Sequence, residues 1–312
     1  MRPARRTVLT ALAAGAGAVL AGAAPASAAP VPIPLPAGSR VAEALKRLER
    51  EHGARLGVYA LDTGTGRAVT HRADELFPMC SLFKTLAAAA VLRDLDHDGS
   101  VLARRIHYTL DDVERSGISE WTKRPENLAN GLTIGELCEV SITYSDNTAA
   151  NLLLRELGGP SAVTRFARSL GDRVTRLDRW EPELNSAEPE RVTDTTTPRA
   201  IGRTYARLVL GDALARPDRE LLTRWLCANT TSSERFRKGL PAGWRLGDKT
   251  GGGSHGTNND VGIAWRPAGA PLVLAVLTTK PAQDADADNA LVARTAALLA
   301  EAFGGPHGSA DR

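Results

Sequence analysis

Hydrophobic positions recur along this chain with two periods, and the period changes twice. Val41, Leu45 and Leu48 stand at helical spacing behind Gly38-Ser39, which predicts an amphipathic helix ended by Gly53. Arg55–Asp62 and Arg67–His71 follow as strands, with Thr63-Gly64-Thr65-Gly66 as the hairpin between them. From Ser81 to about Leu240 the pattern is helical. Leu82, Phe83, Leu86, Ala87 to Ala90, Val91 and Leu92 make one run, placing Ser81 in its first turn, and His97-Asp98-Gly99 breaks it. Further helices are expected at Thr133–Val140, Asn147–Leu157, Ser161–Leu170, Pro198–Leu210 and Asp218–Ala228. Strand patterns return at Trp244–Thr250, Asp260–Arg266 and Leu272–Thr279, and Asn289–Phe303 closes the pattern as an amphipathic helix.

This order predicts an α/β (α+β) fold: a five-stranded antiparallel sheet flanked by N- and C-terminal helices, with an all-α domain inserted between strands two and three. Residues 29–72 and 241–312 form the α/β lobe, and residues 73–240 the helical one. Asp172–Thr197 has no period and is rich in Pro, Asp, Glu and Thr. A loop of that length inside a compact domain is usually functional. A cleft between two such lobes is a preferred place for a ligand.

Residues 1–28 change the charge picture. Arg2, Arg5 and Arg6 precede an apolar stretch from Val8 to about Ala24, and Ala26-Ser27-Ala28 reads as a cleavage site, so this is an export signal. The paired Arg5-Arg6 suggests the twin-arginine route. The chain holds 39 basic and 36 acidic residues, and the signal takes three arginines and no acid, leaving 36 of each. The basic pI is therefore no argument for a nucleic-acid or membrane partner. Three cysteines leave at least one unpaired, and the six histidines offer no metal-ligand spacing. No cofactor motif is present, and a monomer is the default expectation.

Four groups carry candidate chemistry. Ser81 and Lys84 share a helix face at i,i+3, where a lysine could take a serine's proton and free helix N–H groups could hold an oxyanion. Ser145-Asp146-Asn147 puts a hydroxyl and a carboxamide two positions apart between helices. Lys249-Thr250-Gly251, followed by Gly252 and Gly253, offers an anion site on a strand without bulky neighbours. The long loop carries Arg179-Trp180-Glu181-Pro182-Glu183-Leu184-Asn185.

In this order and spacing, the first three groups resemble the active-site signature of serine β-lactamases and penicillin-binding proteins, and the loop narrows the resemblance to class A β-lactamases. The resemblance implies that Ser81 attacks the β-lactam carbonyl, with the N–H groups of Ser81 and Gly252 as oxyanion hole. It implies that Lys84 holds the proton network and that Glu181, with a water also held by Asn185, drives deacylation; the acylation base is Lys84 or Glu181. Ser145 would protonate the departing nitrogen. Asn147 would bridge Lys84 and the substrate amide. Lys249, Thr250 and Gly251, with Arg235, would bind the substrate carboxylate, and Arg179 would pair with Asp194 to close the loop. Members with an extra disulfide place a cysteine where this chain has Gly253 or Ala88, so Cys80, Cys138 and Cys227 are expected free. Gly252 stands where members often carry Ser, Thr or Ala. The alternative is a D-alanyl-D-alanine peptidase or transpeptidase of the penicillin-binding kind, against which Glu181 and Asn185 discriminate. A non-catalytic wall-binding relative would lack Ser81 or Lys84.

Overall fold

The apolar octet Leu272–Thr279 is the middle strand of the sheet, and both of its faces are covered. The computed structural model describes residues 37–304, and the expected export signal lies outside them. Strands β1 (Arg55–Asp62), β2 (Ala68–His71), β3 (Arg245–Gly253), β4 (Thr257–Trp265) and β5 (Leu272–Thr279) form one antiparallel sheet in the order β2-β1-β5-β4-β3. The longer helices are α1 (Ala37–Glu51), α2 (Phe83–Ala90), α3 (Ile134–Thr143) and α4 (Asn147–Leu157). They continue as α5 (Ser161–Ser169), α6 (Pro198–Val209), α7 (Arg216–Cys227) and α8 (Asn289–Gly304).

The two-residue period of a strand sorts side chains between two cores. Leu56, Val58 and Ala60 of β1 and Leu272, Leu274 and Val276 of β5 pack with Leu45, Leu48, Leu291, Leu299 and Phe303 of α1 and α8. Tyr59, Val273, Ala275 and Leu277 pack on the other face with Phe77, Leu82, Leu86, Ile201, Tyr205 and Leu208. With neither face open to water, β5 shows no polar alternation.

Local signals account for most helix starts. Thr133 and Glu136 form a reciprocal capping box on α3, Asp146 caps α4 through Ala149 N–H, and Thr197 caps α6 ahead of Pro198. Gly158 ends α4 in the left-handed region that glycine adopts without strain.

Of the boundaries that differ from the sequence reading, three bear on the site. Ser81 lies in a 3₁₀ turn, Cys80–Leu82, and the α-helix starts only at Phe83. Strand β3 runs on through Gly251, Gly252 and Gly253, which pair with Asn259, Asn258 and Thr257, so β4 starts earlier than Asp260. Those glycines carry no side-chain pattern to mark where the strand ends, and their backbone completes the ladder. Short elements went unread: the helical turn Leu110–Ser116, and the two-residue ladder of Phe77–Pro78 with Thr195–Thr196. That ladder joins the segment before Ser81 to the end of the long loop.

Candidate active site

The turn that presents Ser81 is held from three sides. Cys80 has a φ of 48°, a left-handed conformation uncommon for a residue with a side chain. Asn259 Nδ2 on β4 donates to Pro78 O at 2.9 Å and to Met79 O at 3.3 Å. Tyr205 Oη on α6 bonds Leu82 O at 3.0 Å, and Met79 N–H donates to Asp194 O at 2.8 Å. Gly251 lies against the turn: a Cβ there would be 2.9 Å from Met79 O.

Lys84 is fully buried and makes an ammonium's worth of bonds. Its Nζ stands 2.8 Å from Ser145 O, 2.6 Å from Asn147 Oδ1 and 3.0 Å from Glu181 Oε1, with Ser145 Oγ at 3.4 Å. Ser81 Oγ donates to the same Glu181 oxygen at 3.3 Å. Asn185 Nδ2 donates to Glu181 Oε2, and Asn185 Oδ1 is buried with no protein partner. The Glu181 backbone is clamped by Asn151, whose Oδ1 accepts from its N–H at 3.0 Å and whose Nδ2 donates to its C=O at 2.9 Å.

Ser145 has a φ of 58°, and its neighbours explain how that conformation persists. Asp146 accepts from Ala149 N–H, Trp121 N–H, Thr122 N–H and Thr122 Oγ1, all within 3.0 Å. Asn147 Nδ2 donates to Ser116 O at 2.9 Å. The middle residue of the Ser-Asp-Asn group thus ties the segment around Trp121 to α4. Trp121 itself stacks on Tyr144, the residue before Ser145.

The long loop is closed by the expected pair. Arg179 Nε donates to Asp194 Oδ2 at 2.6 Å; Asp194 is buried (1 % exposed) and Arg179 a quarter exposed. Asp194 Oδ1 also accepts the N–H groups of Asp178 and Arg179 at 2.7 and 2.9 Å.

On β3 the alternation sends Lys249, opposite Val261, toward the helical face, and Thr250 toward the other. Lys249 is fully buried and its Nζ donates to Thr250 O at 3.0 Å. Burial, with Lys84 and Arg235 nearby, pushes its ammonium well below the usual lysine range. Arg235 donates to Asn259 O at 3.0 Å and to Asn289 Oδ1 at 3.1 Å, so much of its fork serves the protein itself. Gly252 is exposed at the strand edge, and Gly253 lies beside Cys80: a Cβ there would be 2.9 Å from its Sγ. All three cysteines are free. Sequence reasoning missed Asn151, Asn229, Thr231, Asp248 and Asp260. The available signal was the polar run Asn258-Asn259-Asp260 beside an otherwise apolar strand.

A serine on a strained turn, sharing one buried carboxylate with a buried lysine at the edge of an antiparallel sheet, defines a serine hydrolase of the acyl-enzyme kind. Residues 40–303 match the model of the beta-lactamase enzyme family. A β-lactamase of Streptomyces fradiae is 70% identical over 266 residues, 85% of this chain and 87% of that protein. The structure of the Streptomyces albus G β-lactamase superposes with a TM-score of 0.83 at 69% identity, covering 84% of this chain and 98% of that one. An ancestral class A β-lactamase is 53% identical with a TM-score of 0.79, covering 84% and 100%. The chain belongs to the β-lactamase enzyme family, and within it to class A.

Proposed function

We propose that this chain hydrolyses β-lactam antibiotics, and so confers resistance to them, through acylation of Ser81 and deacylation driven by Glu181. The observation that carries the reading is the single Glu181 oxygen shared by Ser81 Oγ (3.3 Å) and Lys84 Nζ (3.0 Å).

Three acceptors stand within 3.0 Å of Lys84 Nζ, which supports reading Lys84 as a donor and Glu181 as the acylation base. Glu181 takes the Ser81 proton as Oγ bonds to the lactam carbonyl carbon. The carbonyl oxygen becomes an oxyanion, held by the N–H groups of Ser81 and Gly252. As the oxyanion collapses to an ester, the ring C–N bond breaks and the nitrogen takes a proton from Ser145, which Lys84 replenishes. Lys249, Thr250 and Gly251, with the charge of Arg235, receive the substrate carboxylate. Asn147 presents its amide to the substrate side chain while bonding Lys84. Glu181 passes the proton it took from Ser81 to Lys84 across their 3.0 Å contact, which restores both groups. In the second half Glu181 deprotonates a water that Asn185 Oδ1 orients, and that water's oxygen bonds to the ester carbonyl carbon and displaces Ser81. Ser81 recovers its proton as the acid leaves.

A penicillin-binding peptidase would share the first half and stay acylated; Glu181 and its Asn185 partner supply the second. Residues 1–28 are proposed as the export signal, by the twin-arginine route, giving a secreted monomer. Among the described residues no helix is long and apolar enough to cross a membrane.

Hydrolysis of a chromogenic cephalosporin by the wild type, lost in Ser81→Ala, is the expected result. Absence of turnover by folded wild-type protein would falsify the hydrolase reading. In Glu181→Ala a covalent adduct on Ser81 is expected to persist by mass spectrometry; rapid release would remove Glu181 from deacylation.

A further inference from the structure

Two carboxylates under the carboxylate-binding strand are used by no step above. Asp248 precedes Lys249, and Asp260 stands opposite Thr250 on β4. Opposed residues share a face and the two-residue period adds Asp248 to it, so the two acids meet diagonally across the ladder. Both are fully buried, and the register sets their carboxyl groups beside each other. Two ionised carboxylates side by side out of water repel each other, so one of them is protonated and can donate to the other.

The remaining contacts say which. Asp248 Oδ2 accepts from Asn229 Nδ2 at 2.9 Å, and its Oδ1 faces Arg237 Nη2 at 3.5 Å. Asp260 accepts Phe236 N–H at 3.1 Å on Oδ2, and its Oδ1 meets no donor. The proton belongs on Asp260, and Asp248 keeps the charge. Burial and the adjoining Asp248 hold Asp260 well above the usual carboxylate range, and burial raises Asp248 too.

Asp248 also anchors a chain of polar groups. With its Nδ2 on Asp248, Asn229 turns its Oδ1 to Thr231, accepting from N–H at 3.1 Å and from Oγ1 at 2.8 Å. Thr231 Oγ1 lies 2.5 Å from Thr250 Oγ1. The Asn229 amide cannot be flipped, because Thr231 N–H requires an acceptor there. The charged and titratable groups facing the pair are Lys249 on β3, Arg235 and Arg237 after α7, and Tyr205 on α6, with Lys84 beyond Lys249 and Cys80 beyond Arg235.

We propose that Asp248 and Asp260 are a positioning pair for the substrate-carboxylate site, holding one proton and one negative charge between them and ordering the Thr250 hydroxyl through Asn229 and Thr231. This rests on the reading that Lys249 and Thr250 receive that carboxylate. The single charge supports the Lys249 ammonium against its two cationic neighbours, and the shared proton keeps a second negative charge out of the core.

Asp260→Asn offers Asp248 an amide N–H in place of the acid O–H and keeps the charge; Asp248→Asn removes the charge. Thermal midpoints from about pH 5 to about pH 8 test the proton without any substrate. A raised folded-state Asp260 contributes most below the ordinary carboxylate range and loses that contribution as pH rises. The Asp260→Asn midpoint is therefore expected to climb relative to wild type with increasing pH; a difference flat across the range overturns the shared proton. Kinetics on a carboxylate-bearing β-lactam test the positioning. Asp248→Asn is expected to bring the alkaline limb of kcat/KM down by about one pH unit, whereas Asp260→Asn keeps it where wild type has it. Equal movement in both, or movement in neither, overturns the assignment. Should Asp248→Asn not fold, Thr231→Val is expected to raise KM about three- to tenfold and Thr231→Ser to restore it; an unaltered KM in Thr231→Val overturns the chain. A wild type without hydrolysis would sink the β-lactamase reading and leave the thermal result standing.

Discussion

A methyl group on Gly251 would meet Met79 O at 2.9 Å and Cys80 Cβ at 3.3 Å, whereas one on Gly252 would find only Thr257 O at 3.8 Å. Gly251→Ala is therefore expected to push the Ser81 turn, costing about 1–3 kcal/mol in denaturant unfolding together with a fall in kcat. Gly252→Ser is expected to fold with wild-type stability and to alter the ratio of kcat/KM between cephalosporins and penicillins, since the new hydroxyl stands at the strand edge where substrate docks. An unchanged ratio would remove this position from substrate choice. Ser81, Lys84, Ser145, Asn147 and Glu181 were legible as candidates because their residue types, order and spacing resemble a family signature. Asn229, Thr231 and Asp260 were not, because each acts through a partner that only strand register and a returning loop bring near.

In the proposed mechanism the long loop decides turnover, and its closure depends on one buried acid. Asp194 gathers Arg179 Nε and the N–H groups of Asp178 and Arg179. Asp194→Ala leaves those donors unpaired, and a loss of about 3–5 kcal/mol is expected by denaturant unfolding, as for a broken buried pair. Deacylation should slow more than acylation in single-turnover kinetics, because Glu181 rides on the loop and Ser81 does not. Equal slowing would place the effect outside the loop. The Arg179–Asp194 pairing could be named from sequence, but not its burial, which separates this cost from the about 0–1 kcal/mol of an exposed pair. Helices with cap signals, such as Thr133-x-x-Glu136, could be bounded closely. The 3₁₀ start at Cys80 could not, since tertiary bonds from Asn259 and Tyr205 set it rather than local propensity.

Across the whole molecule, the site joins the sheet edge to helices packed on one face, and three cations converge there with few exposed surfaces between them. Lys249 bears the cost, held below the usual lysine range by burial, then Lys84 and Arg235. As pH rises, its charge is lost earlier than a free lysine's, so kcat/KM for an anionic substrate should decline on the alkaline side well before 10.5. The folded state favours neutral Lys249, so unfolding stability should not fall in step with activity over that limb. Parallel loss of midpoint and kcat/KM would trace the limb to unfolding instead. The two-faced sheet with its helical insertion was legible from the change of period. The convergence of charge was not, because it depends on Lys249 turning to the helical face.

One bond joins two halves of the chemistry that are otherwise far apart in sequence. Ser254 N–H, just past the end of β3, donates to Asn185 O at 2.9 Å, and Gly253 leaves room for nothing larger between them. The strand proposed to receive the substrate carboxylate is thus tethered to the residue proposed to aim the water. A compound bulky enough to lever the strand outward would drag Asn185 with it, after the ester has formed. Such a compound would enter as a substrate and remain as an inhibitor, its dwell time on the enzyme set by how far it had moved that strand.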